Sequence, residues 1–378
     1  MRGLLLASVL ILALGCGGGS EGARAPAEAR MSVSLAGAPT PDFKQINLDV
    51  QRVEISEAGS AWTVLAEPKR ILDLRALSGG TTFLLASGAS LPPGRYTQLR
   101  LVLGNRNTVV LADESSQGLT VAPGQLAGIK VGVNLDVAAG STRNVTLDFD
   151  GSHSIQVRTQ GSGSEYLLQP LVQAHDTQLT GSLNGTLRTP SGAAIAGALV
   201  LAQSLDGNGV PILNRVAQTG ADGSFTLDLL PAGTPCFIAT QPVVGTTAYA
   251  ATAAGPFTVE ASAPASSAAL ATEVLASTGS IQGTVSPVAG AGQGDVVFLQ
   301  KSFLLGGSAR TLILRTAVPK LAEDSEVFAF PKVELGLQGA RGLRTSAQPD
   351  GSSTSVRSLN APTVNPLSAS PVGTVLQF

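Results

Sequence analysis

The chain contains two Cys and two His in 378 residues, too few for cysteine-rich zinc sites, iron–sulfur clusters or a disulfide scaffold. Charge is sparse as well: charged residues make up 13%, where soluble domains carry roughly 25%. The 24 basic and 26 acidic residues leave a net charge of −2 with no dense block of either sign. Nucleic acid, which is recognised by a basic face, is excluded as a partner. One Trp and three Tyr supply little for the aromatic surfaces that bind sugars. Glycine is plentiful at 44 residues, and 43% of the chain is hydrophobic; this balance excludes a coiled coil and a highly charged disordered chain. At roughly 150 residues per domain, the length allows two or three domains.

An apolar stretch opens the chain. Met1 and Arg2 precede Leu4 to Leu14, which are followed by Gly15 and Cys16. The run fits a secretory h-region of about 7–15 residues and falls short of the roughly 20 needed to span a membrane. Leu12-Ala13-Leu14-Gly15-Cys16 resembles the lipobox of bacterial lipoproteins, with Ala13 where leucine is commonest. The resemblance implies cleavage before Cys16, diacylation of its thiol and acylation of the freed amine; two or more chains give stable anchoring. The following residues, Gly17 to Arg30, lack apolar periodicity and read as a flexible tether. Gly17 in place of Asp after the cysteine implies, by similarity to enterobacterial sorting, the outer membrane. Gly18-Gly19-Ser20-Glu21-Gly22 matches a hydrolase nucleophile elbow in form only, since no strand and helix flank it.

From Met31 onward, short alternating segments such as Ile46-Asn47-Leu48-Asp49-Val50 and Val145-Thr146-Leu147-Asp148-Phe149 are punctuated by Gly, Pro, Asp and Asn. This pattern predicts an all-β chain of sandwiches or barrels. The best helix candidate is the Ala-rich segment Ser266 to Ser277, which reads equally as a loop leading to a last strand. Thr180-Gly181-Ser182-Leu183-Asn184-Gly185-Thr186-Leu187 returns 98 residues later as Thr278-Gly279-Ser280-Ile281-Gln282-Gly283-Thr284-Val285, and each copy leads to a second apolar strand. Tandem domains of about 100 residues suit a seven-strand sandwich. The expected organisation is a leader over residues 1–15, lipidated Cys16 and tether over 16–30, and three consecutive β-sandwich-like domains over 31–177, 178–277 and 278–378.

The middle domain is similar to the carboxypeptidase-regulatory-like family, whose fold is a transthyretin-like sandwich. The residues that carry this are Gly185-Thr186-Leu187, Pro190-Ser191-Gly192, Ile195 to Val200, Thr219 to Phe225 and Leu230-Pro231-Ala232-Gly233, with Pro235-Cys236-Phe237 departing from the family's usual tyrosine. The last domain reads as a diverged copy, with Glu323-Asp324-Ser325-Glu326 and Phe328 to Gly336 replacing the hairpin and turn. Residues 31 to 176 resemble a domain of unknown function found in bacterial lipoproteins. That match rests on Ile46 to Ile55, Trp62 to Leu65, Ile71 to Leu74, Leu91 to Leu101, Leu147 to Asp150 and Leu168 to Val172. The resemblance implies no established activity.

Asp148 and Asp150 flank Phe149, and the strand period of two places both carboxylates opposite Val145, Leu147 and Phe149. With Ser152 beyond, they are candidate ligands for Ca²⁺, which takes about six to eight oxygens; a solvated strand end explains them without a metal. His153 sits between Ser152 and Ser154, but a turn is expected to point neighbouring side chains apart, so the reading is a turn histidine. His175 reads as a polar linker residue and Cys236 as a small buried hydrophobe. Tyr96, Gln98 and Arg100 share one expected strand face and, with Trp62, are the candidate ligand-binding residues. Trp62 has the pattern of a core residue, and Tyr96 after the Pro-Gly turn also suits a tyrosine corner.

The sequence therefore predicts a non-enzymatic, membrane-anchored envelope lipoprotein acting as a binding or structural module, with an envelope protein or glycan as partner. The alternative is a receptor for carbohydrate or another small ligand.

Overall fold

The computed structural model describes residues 27–57, 61–161, 163–261, 266–289, 293–322, 324–347, 353–358, 363–364 and 371–378. Cys16, the leader and most of the tether lie outside them. The fold is all-β, and helical structure among the described residues is limited to 3-10 turns at Leu74–Leu77, Pro123–Gln125 and Thr177–Leu179. The Ala-rich helix candidate is instead the strand Ser266–Ala271, paired in parallel with Thr180–Arg188. Sheet hydrogen bonding there overrides the helical propensity of alanine.

Three apolar cores follow one another along the chain, built from residues between Ala29 and Leu168, Leu183 and Leu270, and Ile281 and Leu376. In the first unit, a four-stranded sheet ordered Val172–Asp176, Thr142–Phe149, Ala29–Gly37, Thr82–Leu91 covers a second sheet containing Gln45–Glu57 and Gly94–Leu103. Met31, Leu35, Ile46, Leu48 and Phe149 are wholly buried between them.

The sequence repeat is also a repeat of topology. Thr180–Arg188 is flanked by Ser224–Pro231 antiparallel and Ser266–Ala271 parallel. Thr278–Ser286 is flanked in the same way by Ser325–Glu334 and Pro371–Gln377. The repeated glycines explain themselves at this point. Gly185 lies opposite Phe225, and a Cβ on it would stand 2.2 Å from the Phe225 ring. Gly283 lies opposite Phe328, and its Cβ would meet that ring at 2.8 Å and the Thr374 carbonyl at 2.1 Å. Each glycine lets an aromatic ring from the neighbouring strand approach the backbone closely.

The units are joined edge to edge and face to face. Lys320–Ala322 of the third unit pairs in parallel with Ile155–Gln160 of the first, making one 13-stranded sheet. The second and third units meet through sheet faces. In Leu199–Leu205, Val200 and Ala202 fill the unit's own core while Leu201 packs with Val296, Phe298 and Ile313 of the third unit. In Gln293–Leu305 the roles alternate likewise, Val297 and Leu299 inward and Val296 and Phe298 toward the second unit. Phe237 and Ala239 meet Leu312 and Leu314 in a further apolar contact.

Candidate functional site at the junction of three sandwiches

The expected ligand face on Gly94–Leu103 does not form. A bulge between Tyr96 and Gln98 shifts the alternation by one residue, so Tyr96 turns inward with Leu99 and Leu101. Tyr96 is 3% exposed and its hydroxyl donates to the Pro92 carbonyl at 2.9 Å, tying the Pro-Pro-Gly turn as a tyrosine corner. Burial pushes its phenol above the ordinary range, with Glu57 adding to the effect. Arg100 lies 4.2 Å from the Trp62 ring centroid and is paired with Glu54, which is buried. Trp62 precedes the strand Thr63–Ala66 and is half-buried, held by that stack and not by the core. Gln98 is half-buried on the same strand. The four residues therefore do not present a common open surface.

The expected pair of open carboxylates is replaced by two separate polar clusters. Asp148 is buried and paired with Arg215 of the second unit. Arg215, 4% exposed, also donates from Nε to Asp228 at 2.8 Å and from Nη2 to the Gly37 carbonyl at 3.3 Å. Burial outweighs the guanidinium and pushes the Asp148 carboxyl up to about 6. Asp150 instead accepts from Ser152 Oγ at 2.6 Å and contacts His153 Nδ1 at 2.5 Å. Its burial favours the neutral acid, yet the imidazole and the Ser152 hydroxyl together hold it below the usual carboxylate range. Among the described residues, no group of three or more His, Cys, Asp or Glu is placed to hold a metal ion.

The turn brings Asp150, Ser152 and His153 together, contrary to the expectation that they diverge. Ser152 Oγ is 3.2 Å from His153 Nδ1, the same ring nitrogen that Asp150 occupies. A nucleophilic relay needs serine and carboxylate on opposite nitrogens, and here Nε2 is buried without a partner. His175 lies in the strand Val172–Asp176, not in a linker, and burial together with the nearby Arg215 charge lowers its pKa. Cys236 is buried in Pro235–Thr240, where desolvation pushes its thiol up to about 11.

Residues that single-sequence reasoning missed hold the junction. Gln203 of the second unit is wholly buried; its side chain donates to the Ile313 carbonyl at 3.0 Å and accepts from the Ile313 N–H at 2.7 Å. Gln156 of the first unit donates to Glu326 of the third at 3.0 Å. Glu326 also accepts from the Ala289 N–H and faces Asp295 and Arg344. Desolvation, followed by the Asp295 carboxyl beside it, holds Glu326 well above its ordinary range. The available signal was apolar residues at consecutive positions, as in Leu199-Val200-Leu201 and Val296-Val297-Phe298-Leu299, which mark strands covered on both faces.

Among the described residues, two cavities open where all three units meet. The larger, of about 1320 Å³, takes Asp42 and His153 from the first unit, Leu199 and Pro242 from the second, and Arg315 and Phe330 from the third. Arg315 lies over the Phe330 ring at 5.6 Å, and desolvation pulls its guanidinium down to about 10. The smaller, of about 290 Å³, is likewise lined by all three units, and His153 borders both.

Residues 28–170, less than half of the chain, match a protein family described as a domain of unknown function (DUF4382). No curated protein matches the chain. Solved structures similar to it include the TIE protein of Bacillus anthracis, at 10% identity and a TM-score of 0.20, over 92% of this chain and 51% of that one. This chain thus spans about half the length of that protein. A streptococcal ancillary pilin aligns at 10% identity and a TM-score of 0.21, over 92% of this chain and 98% of the pilin. The major pilin subunit of Bacillus cereus aligns at 12% identity and a TM-score of 0.17, over 92% and 99%. Scores this low carry no functional inference.

Proposed function

We propose that the chain is a lipid-anchored protein of the bacterial cell envelope whose three sandwiches form a non-catalytic structural and binding module. The observation that supports this most is the use of the buried polar side chains at the junction. Arg215, Gln203, Gln156 and Glu326 bond across units, and the Ser152–His153–Asp150 cluster closes on a single ring nitrogen. Such groups fix an arrangement of surfaces rather than drive a reaction. The anchor rests on the sequence Leu14-Gly15-Cys16; acylation there tethers the module to a membrane through the Gly17 to Arg30 stretch, and Gly17 in place of Asp favours the outer one. The middle unit fits a carboxypeptidase-regulatory-like domain, with Asp222-Gly223 forming the tight turn in which Gly223 has φ +78°.

The experiment is fractionation of cells expressing the full chain and its Cys16→Ser variant, with intact-mass measurement. Wild type is expected in the membrane fraction carrying acyl mass, and Cys16→Ser in the soluble fraction. A variant that still sediments with membranes contradicts the anchor.

A further inference from the structure

The smaller cavity is bordered by a buried guanidinium to which no carboxylate among the described residues is bonded. Arg341 of the third unit is 6% exposed; its Nη2 donates to the Pro211 carbonyl at 2.9 Å, while Nε and Nη1 have no partner. Its guanidinium lies 5.3 Å from the Phe298 ring centroid and borders the cavity. A guanidinium stays protonated at any ordinary pH, so burial cannot be relieved by losing the proton. Arg357, on the same cavity wall, adds a second positive charge and repels it; Asp206, bonded to Arg357 at 2.8 Å, offsets part of this charge without a bond to Arg341. The acids at the far wall are committed elsewhere, Asp148 to Arg215 and Asp150 to His153. An unpaired buried cation is strongly unfavourable unless an anion meets it.

Leu213, Val296, Phe298 and Leu343 form an apolar part of the wall, with the polar side chains of Gln173, Asn214 and Thr345 beside it. His153 Nε2, buried and also unpartnered, borders the same space. An apolar patch beside polar groups that can fix a ligand's orientation suits a small-molecule site, and about 290 Å³ is near the lower end of such sites.

We propose that this cavity binds a small monocarboxylate with a compact apolar body. Its carboxylate pairs with the Arg341 guanidinium and accepts from one of the two unpartnered donors, Nε or Nη1, which point to different sides of the planar group; its body fills the space against Phe298 and Leu213, and His153 Nε2 offers a hydrogen bond to a further polar group. The inference deepens the binding part of the proposed function and is independent of the lipid anchor. Membrane fractionation and ligand binding therefore fail separately.

The probe is benzoate, with benzamide as its neutral counterpart and benzylamine as its cation, added to the soluble chain from Gly17 onward. Thermal unfolding is followed for wild type, Arg341→Met and Leu213→Trp. Benzoate is expected to raise the wild-type Tm saturably by about 2 °C, and benzamide and benzylamine to leave it unchanged. Arg341→Met keeps the packing against Phe298 without the unpaired charge, so it folds and loses the benzoate shift. Leu213→Trp occupies the space, keeps Arg341 and also loses the shift, which decides the matter should Arg341→Met misfold. No benzoate shift in wild type, an equal shift with benzamide, or a shift retained in either variant overturns the proposal.

Discussion

At Glu326 and Asp148 two acids are held in places where the charged form is disfavoured. Burial pushes Asp148 up to about 6, and burial with the Asp295 carboxyl raises Glu326. A carboxyl raised in the folded state binds protons that the unfolded chain has released. Its contribution to stability is full below the unfolded value, about 4, and is lost as pH rises through the folded value. Asp49, lowered chiefly by its bond to Arg106, acts in the opposite sense, its contribution being lost as pH falls through its depressed value. The Tm is therefore expected to rise as pH falls from 8 to about 5, then to decline at more acid pH. Glu326→Gln is expected to flatten the upper part of that profile. An unchanged profile in calorimetric scans across pH contradicts a Glu326 carboxyl raised by burial.

Arg215 allows a second test among single residues. Arg215→Met leaves Asp148 buried without its partner, and is expected to lower stability by about 3 kcal/mol at neutral pH. Adding Asp148→Asn removes the stranded carboxylate and is expected to recover a large part of the loss, as measured by urea unfolding. Additive losses contradict direct coupling. These positions also show where sequence reading stopped. Asp148 and Asp150 were legible as neighbouring acids on one strand, but their partners are 67 and three residues away. The partner of Asp148 depends on the docking of a second sandwich, and that of Asp150 on the local turn, neither of which periodicity carries.

Among the elements, alternation made the strands visible, and the repeated Thr-Gly-Ser-x-x-Gly-Thr marked two copies of one topology. The physical basis is the ring over each glycine. Gly283→Ala is expected to displace Phe328 or Pro371–Gln377 and to cost about 2 kcal/mol, read from urea unfolding; a neutral result contradicts the close approach. The ligand face expected on Gly94–Leu103 failed for an equally local reason. One extra residue at the bulge exchanges the faces, so Tyr96 joins Leu99 in the core, and a single sequence gives no sign of that insertion. The Ala-rich segment failed in the other direction, since its strand character comes only from pairing with Thr180–Arg188.

For the whole molecule, the central claim is that three sandwiches with separate cores act as one body. Leu201, Val216, Val296, Phe298 and Ile313 form an apolar contact between the second and third units. Lys320–Ala322 extends the first unit's sheet into the third, and Arg215 pins the second to the first. The junction cavities exist only while these contacts hold, so ligand binding and domain locking share one structural origin. Differential scanning calorimetry of the chain from Gly17 onward, wild type beside Arg215→Met, tests this most directly. One transition is expected, with calorimetric and van't Hoff enthalpies equal, and Arg215→Met is expected to move it downward as a unit. Separate transitions, of which the variant moves only one, contradict the locked junction.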